Sequence, residues 1–544
     1  FAAAAAEFGN DFATFPDYPA EIRAPVGTTY GVSAYSINIG RTEVKTYGDQ
    51  VDLLIAMNPA ALKVALTDLR DGGAILLDSG TFTARNLSKA GYTDDPRGDG
   101  SLARFKVTEI DLSALTLAAV KPFDLSLKAA LRCKNMWTLG LVLWLFGRET
   151  ATVARWVENR FKAAETVREA NLAALKAGHA YGETTEMPTP VTRYSIPAAP
   201  VEDGLYRTVT GSETLAWGLY AGARLRDLRL MFASYPITPA SPLLHSLSRF
   251  KDKGVVTFQA EDEIAAICAA IGAAYAGGLG VTSSSGPGIA LKTEAMGLAI
   301  STELPLVIVN VQRGGPSTGL PTKTEQADLN QAVYGRNGDA PLPVLAAASP
   351  ADCFDRAIEA VDMATRFMTP VMLLSDGYIA NAAEPWKIPE MAAPAYAPRP
   401  VHFHADPDGF QPFQRDPRTG ARPWAVPGTP GLEHRIGGLE KDFNSGNVSY
   451  DRDNHQLMTD ARVGKIAGIA DHLPPQTIEI GPDRGKVAVL TWGSPYGPAR
   501  VAVRRALADG RSVAHIQLRH IWPLPRNLAD LLARFDHVLL PGMN

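Results

Sequence analysis

Apolar residues fall in strand-length runs separated by stretches of helical spacing over most of the chain, the alternation that builds parallel sheets covered by helices. Val51 to Met57 (VDLLIAM) reads as a buried strand; Asn58 then supplies an N-cap and Pro59 the first position of a helix running to Arg70. AILLDSG is the next strand. Two longer helical patterns follow, Ser126 to Phe146 and Thr150 to Ala177, the second carrying Val153, Trp156, Val157 and Phe161 on one face. Between about 204 and 390 the alternation is clearest: LRLMFA, GVVTFQ, LGVTSSS, PLVIVNV, PLPVLAA and TPVMLLSD predict a parallel sheet wound on both faces. From 391 to about 480, prolines and glycines (PAYAPRPVHFHADPDGFQPF, RPWAVPGTPG) predict a region without long regular elements. The pattern resumes with KVAVLTWGS, a helix at Gly497 to Ala508, SVAHIQL, a helix around Leu528 to Phe535 and HVLLPG. The longest apolar run, Met136 to Phe146, is well short of the ~18 residues that cross a bilayer.

Residues 178 to 203 are rich in Pro, Thr and Ala without apolar periodicity and read as a linker. The expected units are therefore 1–190, 204–390, a Pro/Gly-rich linking region at 391–480, and 481–544. The chain starts at Phe1 inside an alanine run and stops just after an apolar strand, so some terminal sequence is expected to be missing. Composition narrows the class: 53 basic against 57 acidic side chains, a net charge of −4, argue against a nucleic-acid protein. The three cysteines, Cys133, Cys268 and Cys353, lie far apart with no CxxC pair. That fits a reducing compartment, the cytoplasm, and supplies no iron–sulfur or zinc ligand set.

In open parallel sheets ligands bind beyond the carboxyl ends of the strands. Four segments lie there: Tyr235-Pro236-Ile237-Thr238-Pro239, Glu261-Asp262-Glu263, Ser283 to Gly288 (SSSGPG), and Gln312 to Gly319 (QRGGPSTG). Together they bring a carboxylate, an arginine, hydroxyls and glycine turns to one edge. Each has a plainer reading: Glu261 and Asp262 as helix-dipole carboxylates, Thr238 as an N-cap, Arg313 as the partner of Glu303 or Glu325, and the small-residue helix AAICAAIGAAYAGG as close packing. The glycines flanking Arg313 instead favour presenting its fork of donors to a substrate carboxylate.

Taken in order, YPITP, the EDE-headed helix, SSSGPG, and QRGGPSTGLPTKTEQADL followed by YGRNGDAP resemble the α subunit of 2-oxoacid:ferredoxin oxidoreductases, most closely the 2-oxoglutarate type. FPDYPAEIRAPVGTTYGVSAYSINIG, VDLLIAMNPAAL and KNMWTLGLVLWLF are similar to the γ domain fused ahead of the α domain in some members, without its usual glycine-rich opening. PGTPGLEHRIGGLE and the WGS and IWPLP segments look like later regions of the family. The resemblance implies a multi-domain α/β fold: a γ domain, a pyrimidine-type thiamine-diphosphate domain with a doubly wound parallel sheet, and a transketolase C-terminal-like domain.

It also implies the chemistry. These enzymes use thiamine diphosphate to cleave a 2-oxoacid, pass two electrons one at a time through iron–sulfur clusters to ferredoxin, and hand the acyl group to coenzyme A. Glu263 is the expected carboxylate on the aminopyrimidine ring, a choice that puts Gly272 where the family has its helix glycine. Tyr235, Pro236, Ile237, Ser285 and Gly286 are the further cofactor contacts, and Thr238 and Arg313 resemble the pair that holds the 2-oxo-carboxylate. Lys323, Thr318 and Arg336 are candidates for a distal carboxylate. A β subunit is expected to contribute the diphosphate site, Mg2+ and the [4Fe–4S] cluster, so this chain carries no metal ligands, and the assembly is an αβ pair, doubled. Three rivals remain: a pyruvate or branched-chain or aryl 2-oxoacid substrate, a non-catalytic assembly subunit, and a nucleotide-binding dehydrogenase. The last is disfavoured because no GxGxxG follows any strand pattern.

Overall fold

The computed structural model describes residues 1–19, 24–46, 48–184 and 193–543. The chain forms two compact units, Phe1–Thr208 and Val209–Asn544. The expected boundary at residue 190 and part of the YPAEIR segment lie outside the described residues.

In the first unit β1 (Asp11–Asp17) and β2 (Ala34–Gly40) pair antiparallel, Asp11 opposite Gly40. β3 (Val51–Ala56), β4 (Leu69–Asp78) and β5 (Lys106–Ile110) form a parallel sheet with β4 in the middle. Between β3 and β4 the helix Pro59–Ala65 starts as its sequence dictates, the Asn58 side chain accepting the Ala61 N–H at 2.9 Å. The two long helical patterns are each broken. The first becomes Leu127–Arg132 and Lys134–Leu145, the second Ala151–Arg160 and Glu165–Thr184. The break after Arg160 lets the last two helices fold against one another. Lys134–Leu145 and Glu165–Thr184 approach so closely that a Cβ on Gly178 would come within 1.8 Å of the Trp137 carbonyl oxygen. Glycine is required there by backbone contact.

β6 (Tyr206–Thr210) runs across the boundary at Thr208, and the second unit holds a seven-stranded sheet: β7 (Leu230–Ser234), β8 (Val256–Gln259), β9 (Leu279–Ser284), β10 (Leu306–Gln312), β11 (Val344–Ala346), β12 (Pro370–Asp376) and, past β13 (Ala383–Lys387), β14 (Gly485–Trp492) and β15 (Val513–Leu518), a late strand β16 (His520–Trp522). The order across it is β16-β11-β12-β10-β9-β7-β8, parallel except for β16. Along β10 the side chains alternate between two cores, Val307, Val309 and Val311 on one face and Leu306 and Ile308 on the other. Helices Gly211–Leu225 and Asp352–Phe367 cover the first face; Glu263–Tyr275 and Thr293–Ser301 cover the second. The doubly wound sheet expected from the apolar runs is thus present.

β14, β15 and β17 (Phe535–Leu539) make a small parallel sheet with β14 central. The residues just after β15 return to the large sheet, because β16 pairs with β11. Residues 391–480 contain more order than their prolines predict: the 18-residue helix Arg452–Ile469 begins at Asp451, whose side chain accepts the Asn454 N–H at 2.7 Å, in a stretch free of proline. This segment is pinned to the sheet by charge. Glu303, buried at the end of a covering helix, accepts from both Arg415 and Lys465, and the paired cations hold its carboxyl below the usual range against the opposing effect of burial. Among the described residues no helix is long and apolar enough to cross a membrane.

Candidate active site

The segments after β7, β8, β9 and β10 meet at the carboxyl edge of the large sheet. Tyr235 leaves β7 with its ring turned inward, 8% exposed, and its hydroxyl lies 2.8 Å from Ser284 Oγ at the end of β9. Burial pushes the phenol up to about 12; its hydrogen bond with Ser284 opposes this, and the charge of the Glu263 carboxylate adds to it. Gly288 makes this pairing possible. A Cβ there would sit 2.1 Å from both Ser284 Oγ and Tyr235 Oη. One layer down, Ser234 Oγ and Ser283 Oγ are 3.1 Å apart and fasten β7 to β9.

The three consecutive acids separate by role. Glu261 is exposed. Asp262 is the N-cap of the helix Glu263–Tyr275, accepting the Ala265 N–H at 2.8 Å. Glu263, half-buried at the first helical position, is the one that meets Tyr235. The cap explains the division: a side chain bent back onto the helix N–H groups leaves the next residue free to face the sheet edge.

Arg313 follows β10 and is 6% exposed. One guanidinium nitrogen donates to the Thr238 carbonyl at 2.6 Å, so the YPITP and QRGG loops are in contact. Its expected ion-pair partners are engaged elsewhere: Glu303 with Arg415 and Lys465, and Glu325 with the Gly315 N–H at 3.3 Å. Burial lowers the Arg313 pKa, and Tyr235 and Asp328 act on its charge. Asp328 is itself buried, its carboxyl raised above the usual range by desolvation while Asn310 donates to it at 3.0 Å. Gly286 lies beside it, an added Cβ falling 3.4 Å from Asp328 Oδ1.

Buried polar atoms left without a hydrogen bond cost free energy unless something completes them. Ser285 Oγ, Asn310 Oδ1, Arg313 Nε and Ser375 Oγ are four such atoms, all at the ends of β9, β10 and β12. Together with the Tyr235–Glu263 pair they fit a ligand that presents hydrogen-bonding groups to this edge, as an aminopyrimidine or a carboxylate does. Among the described residues no group of three or more His, Cys, Asp or Glu side chains is placed to hold a metal ion.

The remaining expected residues are spread unevenly. Pro236 is exposed and Ile237 half-buried, its N–H accepted by Ser241 Oγ at 2.9 Å. Thr318 is exposed on a loop tip between Ser317 and Gly319, both at positive φ. Lys323 is half-buried and its carbonyl accepts the Gly314 N–H at 2.9 Å, closing the base of that loop. Arg336, a candidate for the distal carboxylate, is engaged with backbone carbonyls. Its Nε, Nη1 and Nη2 donate to the carbonyls of Ala340, Ala332 and Val333 at 2.7, 2.9 and 2.7 Å, so the fork caps the helix Leu329–Tyr334 instead. Sequence reasoning missed Lys292, Asn310 and Asp328. Asn310 carried a signal: a polar residue inside the apolar run PLVIVNV must be partnered once buried. The C-terminal sheet closes one side, Gln326 donating to the Trp492 carbonyl at 2.7 Å.

Comparison with known proteins places the chain in a family. Residues 224–447 match the family described as pyruvate flavodoxin/ferredoxin oxidoreductase, thiamine diP-bdg, and residues 1–181 match pyruvate ferredoxin/flavodoxin oxidoreductase. The chain is 51% identical, over 100% of its length and 82% of the relative's, to the 2-oxoglutarate oxidoreductase subunit KorA of Mycobacterium tuberculosis. It is 30% identical to the α subunit of 2-oxoacid:ferredoxin oxidoreductase 1 of Aeropyrum pernix, over 89% of this chain and 79% of that one. In three dimensions it resembles the 2-oxoglutarate:ferredoxin oxidoreductase from Magnetococcus marinus with 2-oxoglutarate, coenzyme A and succinyl-CoA bound. The TM-score there is 0.83 at 30% identity, covering 100% of this chain and 88% of that one. A pyrimidine-type thiamine domain behind a second α/β unit is the class that fold and site define. The chain belongs to the 2-oxoacid:ferredoxin oxidoreductase family, among its α subunits, as its motifs imply.

Proposed function

We propose that this chain is the α subunit of a 2-oxoglutarate:ferredoxin oxidoreductase, which converts 2-oxoglutarate and coenzyme A to succinyl-CoA and CO2 while two electrons pass to ferredoxin. The observation that carries this reading is the convergence of the Tyr235–Glu263 and Arg313–Thr238 pairs at one sheet edge, each within electrostatic reach of the other. The likeness to KorA and to the Magnetococcus enzyme supports 2-oxoglutarate as the substrate.

Thiamine diphosphate, when bound, supplies the nucleophilic carbon and the electron sink that decarboxylation needs. Glu263 holds the proton shared with the aminopyrimidine ring, and Tyr235 orients Glu263 through its hydroxyl. Arg313 receives the 2-oxo-carboxylate with its charged fork, positioned by the Thr238 carbonyl. Ser285 and Gly286 form the wall beside the ring. Lys323 and Thr318, on the loop after Arg313, are the candidates for the distal carboxylate. Residues 1–190 form the γ domain, 204–390 the pyrimidine domain, 391–480 the linking segment and 481–544 the transketolase C-terminal-like domain. A β subunit supplies the diphosphate site, Mg2+ and the [4Fe–4S] cluster in a cytoplasmic (αβ)2 assembly that docks ferredoxin.

Co-expression with the neighbouring subunit, followed by viologen reduction with 2-oxoglutarate or pyruvate, with and without coenzyme A, tests the proposal. Reduction with 2-oxoglutarate that requires coenzyme A and both subunits is expected. Faster turnover of pyruvate reassigns the substrate, activity of the α chain alone defeats the split site, and unchanged turnover in an intact Glu263→Gln complex indicates an assembly role.

A further inference from the structure

Lys292 is a site-adjacent charge with no role in the proposed reaction so far. It sits in the turn between the helices Gly286–Leu291 and Thr293–Ser301, with its side chain driven under the sheet edge and fully buried. Its ammonium donates to Thr282 Oγ1 at 2.7 Å and to the Ser283 carbonyl at 3.1 Å, and lies 5.8 Å from the centre of the Tyr235 ring. Two acceptors serve three donors. The titratable groups facing it are Tyr235 from the end of β7 and Glu263 from the helix; the neighbouring Glu294 is exposed. An isolated cation in such a place is expensive to keep, and Glu263 is the carboxylate whose charge favours it. The attraction is mutual.

We propose that Lys292 is a positioning residue for the reaction, its buried side chain anchoring the serine-rich end of β9 beneath Tyr235 and so fixing the Tyr235 hydroxyl at the sheet edge beside Glu263. The proposal rests on the reading of Glu263 as the group that faces the aminopyrimidine. Two contacts carry it. The lysine binds the backbone and side chain of the residues just before Ser284, and Ser284 in turn fixes the Tyr235 hydroxyl, on which the Glu263 charge acts. Removing the anchor releases Thr282 and Ser283, so Ser284 and the Tyr235 hydroxyl lose their fixed place at the sheet edge.

The test uses the assembled α–β complex carrying Lys292→Met, Thr282→Val or Glu263→Gln. Two quantities are read across a pH series: the rate at which bound thiamine diphosphate exchanges its C2 proton with deuterated buffer, and the dissociation constant for thiamine diphosphate. Lys292→Met and the isosteric Thr282→Val are expected to slow exchange by at least ~10-fold across the series, through misplacement of the Tyr235 hydroxyl. Cofactor affinity is expected to change by less than ~3-fold. Exchange profiles of both variants that superimpose on the wild type overturn the proposal, as does cofactor binding weakened in step with exchange, which a merely structural lysine produces. If Lys292→Met fails to assemble, Thr282→Val decides alone. Wild-type exchange in Glu263→Gln refutes the assignment of Glu263 itself, and is distinguished from the Lys292 outcome because the two residues are varied separately.

Discussion

Replacing Gly288 by alanine tests the core of the site with a single methyl group. The added Cβ would lie 2.1 Å from Tyr235 Oη and from Ser284 Oγ. Ordinary contact begins near 3.4 Å, so both hydroxyls must retreat by ~1 Å in a region packed to crystal-like density. Overpacking of this kind costs about 1–3 kcal/mol, and loss of the 2.8 Å Tyr235–Ser284 bond adds about 0.5–1.5 kcal/mol. Displacing Tyr235 also removes its hold on Glu263, for which a further loss of about 10²-fold in turnover is expected, the lower end of what general acid–base positioning contributes. Viologen reduction by the α–β complex measures the second effect and thermal unfolding the first. A double variant sharpens the reasoning. In Tyr235→Phe one of the two offending oxygens is gone, so Gly288→Ala in that background should be milder than in the wild type, with a coupling of roughly 0.5–3 kcal/mol between the two positions. Wild-type turnover and stability in Gly288→Ala, or strictly additive effects, refute the packing argument.

Three other outcomes follow from the geometry. Arg313→Lys keeps the charge but loses the fork, and KM for 2-oxoglutarate should rise about 10- to 100-fold, the equivalent of about 1.5–3 kcal/mol of charged hydrogen bonding, with a smaller change in kcat; an unchanged KM removes Arg313 from the substrate. Arg336→Met should lower the unfolding midpoint by several degrees through loss of two bonds to helix-end carbonyls and one to the Ala340 carbonyl while KM stays put; a tenfold rise in KM at unaltered stability assigns Arg336 to the distal carboxylate. Burial lowers the Lys292 ammonium to about 7, below the value of an unfolded lysine, so the unfolded chain binds more protons between those two values and stability rises as pH increases through that window. Between pH 7 and 9 the wild type should gain about 2–3 kcal/mol over Lys292→Met, at 1.36 kcal/mol per unit of pH; denaturant midpoints of the two complexes at both values decide it.

Much of the fold was legible because buried parallel strands are written as unbroken apolar runs. PLVIVNV and TPVMLLSD became the adjacent strands β10 and β12, and Asn58-Pro59 started its helix where cap chemistry requires. The misreadings have local causes. Cys133 and the residues after Arg160 interrupt helices whose apolar spacing continues across the break, because spacing records which face is buried and is silent on where the axis turns. The Pro/Gly-rich segment hid the helix Arg452–Ile469 because the prolines stop before it begins.

At the site, sequence alone determined the residue types and the strand ends that bear them: a carboxylate heading a small-residue helix, an arginine in a glycine loop, and a tyrosine ahead of YPITP's prolines. Local chemistry dictates these, since caps, turns and strand ends are set by neighbours a few positions away. Only the tertiary structure decided which of three adjacent acids faces Tyr235, that Arg336 bonds a helix end, and that Lys292 lies beneath the site. Those outcomes depend on contacts between residues tens of positions apart, where the pairing of one buried polar atom with another is settled by how the sheet and its helices pack, and no periodicity along the chain records it.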